Sequence, residues 1–304
     1  MAVRALFRSY GGENLKNRPD YYSKLSCLLS FLRAAEAAGV EPVFVNDGPI
    51  PEDRLRVMRA SGEIVELPGV GMRQSYLAGL HLATDGRWPG DDVVWMSEDD
   101  YLYRPEALLR LQQVAAAVPE AEYFALYGST PAHPAIDGPV PDDGPRGWRD
   151  LAPWAVDGQS WVRIRSTAST FGARVDALTE DLGVFRFCMV PHRNMYRDHD
   201  TCLVYQGFEP YTYRELVRAA VGLTPGSARD RVRGAWLAPF LFATNLRAHR
   251  RADRRRMLIA ADPNLASHME DALMSPGVDW RAVSDETSAW AAERGLVRTS
   301  TPTP

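Results

Sequence analysis

Short apolar runs alternate with segments of helical periodicity over roughly the first 130 residues of the chain. The expected strands are residues 3–7, 42–45, 63–67, 93–96 and 123–127. Apolar residues between them fall at helical spacing, as at Leu25, Leu28 and Leu32. The expected helices run from about 21 to 39, 52 to 60, 74 to 83 and 105 to 118. This alternation predicts an α/β fold with a mostly parallel central sheet and helices on both faces.

Regular patterns are weaker after the fifth expected strand. Residues 128–150 are rich in proline, glycine and aspartate, which favours a long surface loop that helps to cover a site. Short β-type runs follow at 161–164 and 169–172, and helical patterns lie around Ala177 and over 213–221. The last third is expected to be mainly helical, and residues 299–304 are typical of a disordered tail.

Composition narrows the class of protein. With 304 residues, 45% of them hydrophobic and 24% charged, the chain is long enough for one large domain or one domain with an appendage. Its formal net charge of -4 gives no global attraction to nucleic acid, so any anionic ligand must be bound locally. No apolar run has the length of a transmembrane segment, and the three cysteines indicate no disulfide framework. These features predict a cytoplasmic protein.

Three consecutive carboxylates, Glu98, Asp99 and Asp100, follow the apolar run of the fourth strand. Ligands of open α/β sheets bind beyond the carboxyl ends of the strands. Magnesium and manganese prefer carboxylate oxygens together with phosphate oxygens of a substrate, so the run is a candidate metal and diphosphate site. The alternative is a strand cap at Glu98 with Asp99 and Asp100 in solvent.

The sequence resembles a known enzyme family at three points, over roughly residues 3–280. These are Leu6-Phe7-Arg8-Ser9-Tyr10, Val45-Asn46-Asp47-Gly48 and Val94-Trp95-Met96-Ser97-Glu98-Asp99-Asp100. Together they resemble the GT-A nucleotide-diphosphosugar glycosyltransferases, in particular the family-2-like inverting enzymes. The resemblance implies a Rossmann-like GT-A domain over 1–245, with a nucleotide-binding half at 1–127, an acceptor half at 128–245 and a helical segment at 246–298.

On the donor side, the resemblance implies a UDP- or GDP-type sugar nucleotide. The residues expected to bind it are Arg8, Ser9, Tyr10, Asp47, Arg73, Glu98 and Asp99. Asp47 is expected to contact the base, Asp99 the ribose or diphosphate, and Arg73 a phosphate. The alternatives are a turn role for Asp47 within Asn-Asp-Gly and a solvent-exposed position for Arg73.

A divalent manganese or magnesium ion is implied as cofactor, with Asp100 and the late histidine His268 as its ligands. The family motif is usually Asp-x-Asp, whereas this chain has Glu98-Asp99-Asp100, so two acids of the three remain to be chosen.

An inverting transferase also needs a carboxylate that takes the proton of the acceptor hydroxyl. The stretch 169–174 resembles the acceptor-side strand, which favours Asp200 as this base and Asp198 as the second choice. Glu180 and Asp181 form another candidate pair. The alternative is that Asp198 and Asp200 cap a helix or pair with Arg193 and Arg197.

The chain has no Gly-x-Ser-x-Gly, no Gly-x-Gly-x-x-Gly after its first strand and no P-loop, which disfavours serine hydrolases, nicotinamide dehydrogenases and P-loop kinases. Two alternatives to a glycosyltransferase stay open. One is a sugar nucleotidyltransferase, and the other is a binding protein of the same fold without catalysis. The basic segment 247–256 is interpreted as a solvated helix face, although an anionic acceptor, a membrane surface or the donor diphosphate would also suit it.

Overall fold

The fold is described from a computed structural model that covers residues 1–13, 17–133, 144–190 and 197–297. The strands are β1 (Val3–Tyr10), β2 (Pro42–Asp47), β3 (Glu63–Leu67), β4 (Val93–Glu98), β5 (Tyr101–Tyr103), β6 (Tyr123–Ala125), β7 (Trp154–Val156), β8 (Gln159–Arg163), β9 (Phe171–Arg174), β10 (Leu258–Asp262) and β11 (Ala266–His268). The helices are α1 (Lys24–Ala37), α2 (Glu52–Ser61), α3 (Met72–Thr84), α4 (Ala107–Ala117), α5 (Val175–Cys188), α6 (Asp198–Tyr205), α7 (Tyr213–Ala220), α8 (Ala228–His249) and α9 (Trp280–Glu293).

The central sheet has nine strands in the order β3-β2-β1-β4-β9-β6-β10-β8-β7. Strands β3, β2, β1 and β4 are parallel, and so are β6 and β10. Strand β9 runs antiparallel between β4 and β6, and β8 runs antiparallel between β10 and β7. All strands except β8 and β9 therefore point the same way, which confirms the predicted mostly parallel, Rossmann-like α/β fold.

Helices cover both faces of this sheet because the side chains of β1 alternate between two apolar layers. Phe7 packs at a ring distance of 4.9 Å from Phe31 of α1, in the layer that also holds α4. Leu6 lies in the opposite layer, with Leu80 of α3 and Leu178 of α5. The first half of the chain thus has the layered architecture that its periodicity predicts.

The expected helical segment over 246–298 contains the helix α9 but is not helical throughout. This segment contains β10, which lies inside the central sheet between β6 and β8, and also β11. The apolar run of β10 is only four residues long, and a run of that length does not distinguish a buried strand from a helix turn. The boundary expected at 245 falls within α8.

A second, two-stranded sheet pairs β5 with β11 in antiparallel register, which sets His268 opposite Tyr101. Strand β5 begins directly after the acidic run, so this pairing brings a late segment of the chain back to it. Part of the predicted surface loop, 134–143, and the predicted tail, 299–304, lie outside the described residues. Among the helices described, none combines the length and apolar character needed to cross a bilayer.

Candidate functional site

The predicted donor residues meet at one edge of the sheet because β1 is flanked by two parallel strands. The register pairs Arg8 with Glu98 across β1 and β4, and Tyr10 with Asp47 across β1 and β2. All four residues therefore lie at the carboxyl ends of neighbouring strands, where open α/β sheets bind their ligands.

Each acid of the run 98–100 has its own basic partner. Glu98 forms a close ion pair with Arg8. The Asp99 carboxylate lies 2.9 Å from Nζ of Lys24, and the Asp100 carboxylate lies 2.9 Å from a guanidinium nitrogen of Arg18. Mutual repulsion of the three acids is thereby offset, and the alternative with Asp99 and Asp100 in solvent is wrong, since their side chains are only 14% and 17% exposed.

Asp99 joins the end of β1 to the start of α1. Its Oδ2 accepts hydrogen bonds from the Tyr10 amide at 2.8 Å, the Ser9 hydroxyl at 3.3 Å and Lys24 at 2.9 Å. Lys24 also donates to the Tyr10 carbonyl, and Arg54 donates to the same oxygen at 3.2 Å. Asp99 thus fixes the backbone of Tyr10, whose side chain is 57% exposed.

Asp100 and His268 are brought together by the β5–β11 pairing. Oδ2 of Asp100 lies 3.2 Å from Nε2 of His268, and the Met269 amide donates to the Asp100 carbonyl. Burial on its own raises the pKa of Asp100, but the hydrogen bond and charge of His268, and then those of Arg18, outweigh burial and hold this pKa well below its usual range. The carboxylate is therefore ionised at neutral pH.

The residues around Asp100 fit a divalent cation in part. Two ligands at right angles and about 2.1 Å from a metal lie about 3 Å apart, which the Asp100–His268 spacing of 3.2 Å matches. No group of three or more His, Cys, Asp or Glu side chains in the part of the chain described is arranged to bind a metal, so the remaining ligands would come from substrate and water. Arg18 contacts the same Asp100 oxygen and would have to share it.

Asp47 holds the loop that leads into α3. Its two carboxylate oxygens accept the backbone N–H groups of Val70 at 2.6 Å and Gly71 at 2.8 Å, and the side chain is buried. Gly71 has φ of +84°, a conformation that favours glycine. These contacts give Asp47 a structural role toward a different loop from the Asn-Asp-Gly turn of the alternative, and its expected contact with a nucleotide base stays a prediction.

The start of α3 also positions two arginines. Arg73 is half-buried in the first turn of the helix. Arg8 donates to the Ser75 hydroxyl at 3.3 Å, and its guanidinium carbon lies 6.0 Å from the ring centroid of Tyr76. Arg8 is therefore held beside the N-terminus of α3, and Arg73 lies in its first turn; a helix N-terminus attracts anions.

Asp198 borders a small cavity at the first turn of α6. Its lining includes Tyr76, Thr167, Ala168, Phe171, Phe185, Asp198, Thr201, Cys202 and Tyr205. Burial raises the pKa of Asp198 to about 7, the negative charge of Glu98 adds to the rise, and Arg8 opposes it. Asp198 therefore lies within electrostatic reach of the acidic run and changes charge near neutral pH.

Asp200 and Asp181 have structural partners. Asp200 is buried and accepts hydrogen bonds from Arg197 at 2.9 Å and from the Tyr211 hydroxyl at 2.5 Å. Arg197 also donates a hydrogen bond to the Thr244 hydroxyl of α8. Asp181 is fully buried and bonded to Tyr123 and Arg256. These contacts agree with the pairing alternative for Asp200 and Arg197, whereas Arg193 lies outside the described residues.

Three basic residues of the site were missed at the level of sequence: Arg18, Lys24 and Arg54. Lys24 and Arg54 are only 5% and 3% exposed. A lysine or arginine with this degree of burial requires a partner, but a helix pattern does not show which one. The only signal in the sequence is that Lys24 and Arg54 each stand in the first turn of an amphipathic helix.

Exposed apolar side chains surround this edge of the sheet. Tyr10, Val70 and Met72 are 57%, 41% and 53% exposed. Large exposed apolar groups that adjoin a polar site are typical of ligand-binding surfaces.

A groove of about 540 Å³ lies at the opposite edge, lined in part by Arg4, Glu41 and Trp88. We do not assign it as the site, because ligands of such sheets bind at the carboxyl ends of the strands.

No protein-family model and no curated protein sequence matches the chain. Solved structures resemble it weakly. A 4-diphosphocytidyl-2C-methyl-D-erythritol synthase is 16% identical with a TM-score of 0.35, over 60% of this chain and 78% of the other. A CMP:2-keto-3-deoxy-manno-octonic acid synthetase complexed with CTP is 13% identical with a TM-score of 0.40, over 97% and 100%. The glycosyltransferase GlyE of Streptococcus pneumoniae TIGR4 is 11% identical with a TM-score of 0.40, over 100% and 66%.

Proposed function

We propose that this chain is a metal-dependent glycosyltransferase that moves a sugar from a nucleoside-diphosphate sugar to an acceptor hydroxyl or amine, with inversion. The observation that carries the proposal is the Asp100–His268 pair, which lies 3.2 Å apart at the carboxyl edge of the sheet. A carboxylate and an imidazole at this spacing suit manganese or magnesium when a diphosphate supplies further oxygens.

The donor would lie along the carboxyl ends of β1, β2 and β4. The exposed ring of Tyr10 offers a flat apolar surface for a base, and Asp47 orders the adjoining loop through Val70 and Gly71. Asp99 fixes the backbone of Tyr10 and is our choice for the ribose contact. Arg8 and Arg73, beside the N-terminus of α3, are suited to the phosphates. A UDP- or GDP-type donor remains our expectation.

Asp100 and His268 would hold the cation. The ion, when bound, supplies positive charge that stabilises the departing nucleoside diphosphate. Arg18 contacts the same carboxylate at 2.9 Å and adds positive charge at this point. Glu98 is already committed to Arg8 and is therefore our choice for the member of the run that binds no metal.

Asp198 replaces Asp200 as the proposed general base. A base must accept a proton near the operating pH, and burial brings the pKa of Asp198 to about 7. Asp198 lines the small cavity that Tyr76 also lines, whereas the Asp200 carboxylate is occupied by Arg197 and Tyr211. In its ionised form Asp198 would take the proton from the acceptor as the acceptor oxygen or nitrogen attacks the anomeric carbon.

The three cysteines indicate the compartment in which we expect the enzyme to act. Cys27, Cys188 and Cys202 are all buried, and none of the three forms a disulfide. Buried thiols outside any disulfide suit a reducing compartment, and we expect the enzyme to act in the cytoplasm.

Titration calorimetry with a panel of nucleoside diphosphates, with and without manganese, tests the proposal. We expect one diphosphate, uridine or guanosine, to bind at least tenfold more tightly with the metal. Absence of binding by every member would refute the donor assignment. Tighter binding of a nucleoside triphosphate, with release of pyrophosphate when a sugar is added, would favour the nucleotidyltransferase instead. Metal-dependent binding without turnover of any sugar nucleotide would favour a binding protein.

A further inference from the structure

Exposed apolar side chains are concentrated on the helical hairpin of α7 and α8. Of the 13 large hydrophobic side chains that are exposed among the described residues, eight belong to this hairpin. They are Tyr213, Val217, Val221, Leu223, Val232, Trp236, Phe242 and Leu246. We call this surface the α7–α8 face. Val232 is 72% exposed and Trp236 is 60% exposed, values unusual for side chains of this size.

The exposed residues of α8 form one continuous stripe. Val232, Trp236, Pro239, Phe242 and Leu246 follow one another at intervals of three or four positions, so they share one side of the helix. The residues buried against the rest of the protein are on the other side: Gly234, Ala238, Thr244, Asn245 and Ala248. Helix α8 therefore has an inner face that serves the fold and an apolar outer face that does not.

Helix α7 repeats this arrangement. Leu216 and Ala219 are buried, whereas Tyr213, Val217 and Val221 recur every four residues on the exposed side. The two helices pack against each other. Both helices of this packed pair therefore expose apolar side chains at helical spacing, which is more than the isolated exposed residues that are normal for a soluble protein.

Arginines are numerous in the segment that carries this surface, although Arg247 packs on the Phe187 ring and Arg251 pairs with Asp181. Between residues 212 and 251 the chain has eight arginines and only two acids, Glu215 and Asp230, although the whole protein has a formal net charge of -4. Both acids are used in capping boxes, Glu215 with Thr212 and Asp230 with Ser227. The α7–α8 face therefore combines apolar side chains with a local excess of positive charge.

We propose that the α7–α8 face docks the protein onto the surface of an anionic lipid bilayer. Helices that lie in the plane of a membrane carry tryptophan, phenylalanine and leucine on one side and arginine or lysine around them. The apolar side chains would enter the headgroup region, and the arginines would meet acidic headgroups. Since α8 is not apolar enough to span a bilayer, the protein would lie on the membrane.

A second copy of the chain is a less suitable occupant. Two α7–α8 faces brought together would set their arginines against one another, and like charges at an interface oppose association. An anionic bilayer has the complementary charge over a large area. The proposal is independent of the glycosyltransferase function, because it uses no residue of the site at the sheet edge.

Vesicle flotation of the full chain tests the proposal. The test compares vesicles of phosphatidylcholine alone with vesicles of phosphatidylcholine and about one-third phosphatidylserine. One double variant, Trp236→Ala with Phe242→Ala, removes apolar side chains. The other, Arg229→Glu with Arg233→Glu, reverses two charges. The matched control, Arg56→Glu with Arg59→Glu, makes the same charge change on the exposed side of α2. Circular dichroism checks that each variant is folded.

We expect the unmodified chain to float with the phosphatidylserine vesicles, and salt to weaken the binding. Both α7–α8 variants should lower the partition coefficient about tenfold or more, and the α2 control should lower it less than threefold. Three results would overturn the proposal: no binding to phosphatidylserine vesicles, equal loss in the α2 control, or self-association through Trp236 without vesicle binding. Nucleotide binding is measured separately, so failure here leaves the site untouched.

Discussion

Oδ2 of Asp100 lies 3.2 Å from Nε2 of His268, although the two residues are far apart in the sequence. The antiparallel pairing of β5 with β11 creates this contact, since it sets His268 opposite Tyr101, the residue that follows Asp100. A short two-stranded sheet thereby attaches the last part of the chain to the acidic run. The contact makes the proposed metal site depend on tertiary structure.

Asp100→Asn and His268→Ala should each weaken manganese-dependent binding of the nucleoside diphosphate by about tenfold to a hundredfold, the range typical of altered metal surroundings. The physical reason is the loss of one of two protein ligands. Calorimetry with and without manganese measures the effect. Asp285→Asn, on the exposed surface of α9, is the control. Unchanged metal dependence in both site variants would show that the pair binds no cation.

Asp198→Asn should leave donor binding nearly unchanged and reduce turnover by about a hundredfold or more, because an amide does not accept the proton of the acceptor. In the unmodified enzyme kcat/KM should rise with pH and level off above about 7, where Asp198 is ionised. Steady-state kinetics across this range provides the measurement. Full turnover by the amide variant would eliminate Asp198 as base.

Asp198 should also make stability pH-dependent. Because its pKa in the folded protein, about 7, exceeds the value near 3.9 of an unfolded chain, the native state binds more protons between these limits. The contribution of Asp198 to stability is therefore full below about pH 4 and is lost as the pH rises through 7. Urea unfolding should find Asp198→Asn more stable than the parent by about 1–3 kcal/mol at alkaline pH, and little different under acidic conditions.

The gain in the free energy of unfolding at alkaline pH should be absent from a matched surface variant such as Asp285→Asn, which removes one exposed carboxylate from α9. An equal stability difference at acidic and alkaline pH would contradict the raised pKa of Asp198.

Asp200→Asn should lower the stability of the folded protein and leave turnover nearly unchanged. The change removes the charge that pairs with Arg197 and weakens the hydrogen bond from Tyr211, which together tie α6 to the region of α8. We expect a loss of about 1–3 kcal/mol in the free energy of unfolding, with turnover per folded molecule retained within about threefold. Denaturant unfolding and active-site titration separate the two effects. A turnover loss as large as that of Asp198→Asn, without destabilisation, would restore Asp200 as the base.

Much of the first half of the fold was predictable from local pattern. Strands β1, β2, β3 and β4 begin at the residues predicted for them, and the continuous apolar runs of β2 and β4 are those of parallel strands buried on both faces. Strand β10 was not recognised, because its short run follows a basic segment and its pairing with β6 and β8 is formed by distant residues. Strand β7 is only partly buried, and its apolar run of three residues is too short to identify a strand.

The sequence by itself determined the layered α/β sheet and the presence of an acidic run at the end of β4, because both depend on spacing along a short stretch of chain. Tertiary structure alone decided the basic partners of that run: Arg8 for Glu98, Lys24 for Asp99 and Arg18 for Asp100. It also set His268, which the resemblance had named beside Asp100, 3.2 Å from that carboxylate. Our proposal of Asp198 in place of Asp200 as the base also depends on tertiary structure, since burial and neighbouring charges set the pKa of a carboxyl group. Neither the partners of a side chain nor its burial is encoded in the spacing of residues, because both arise from which distant side chains the fold brings together.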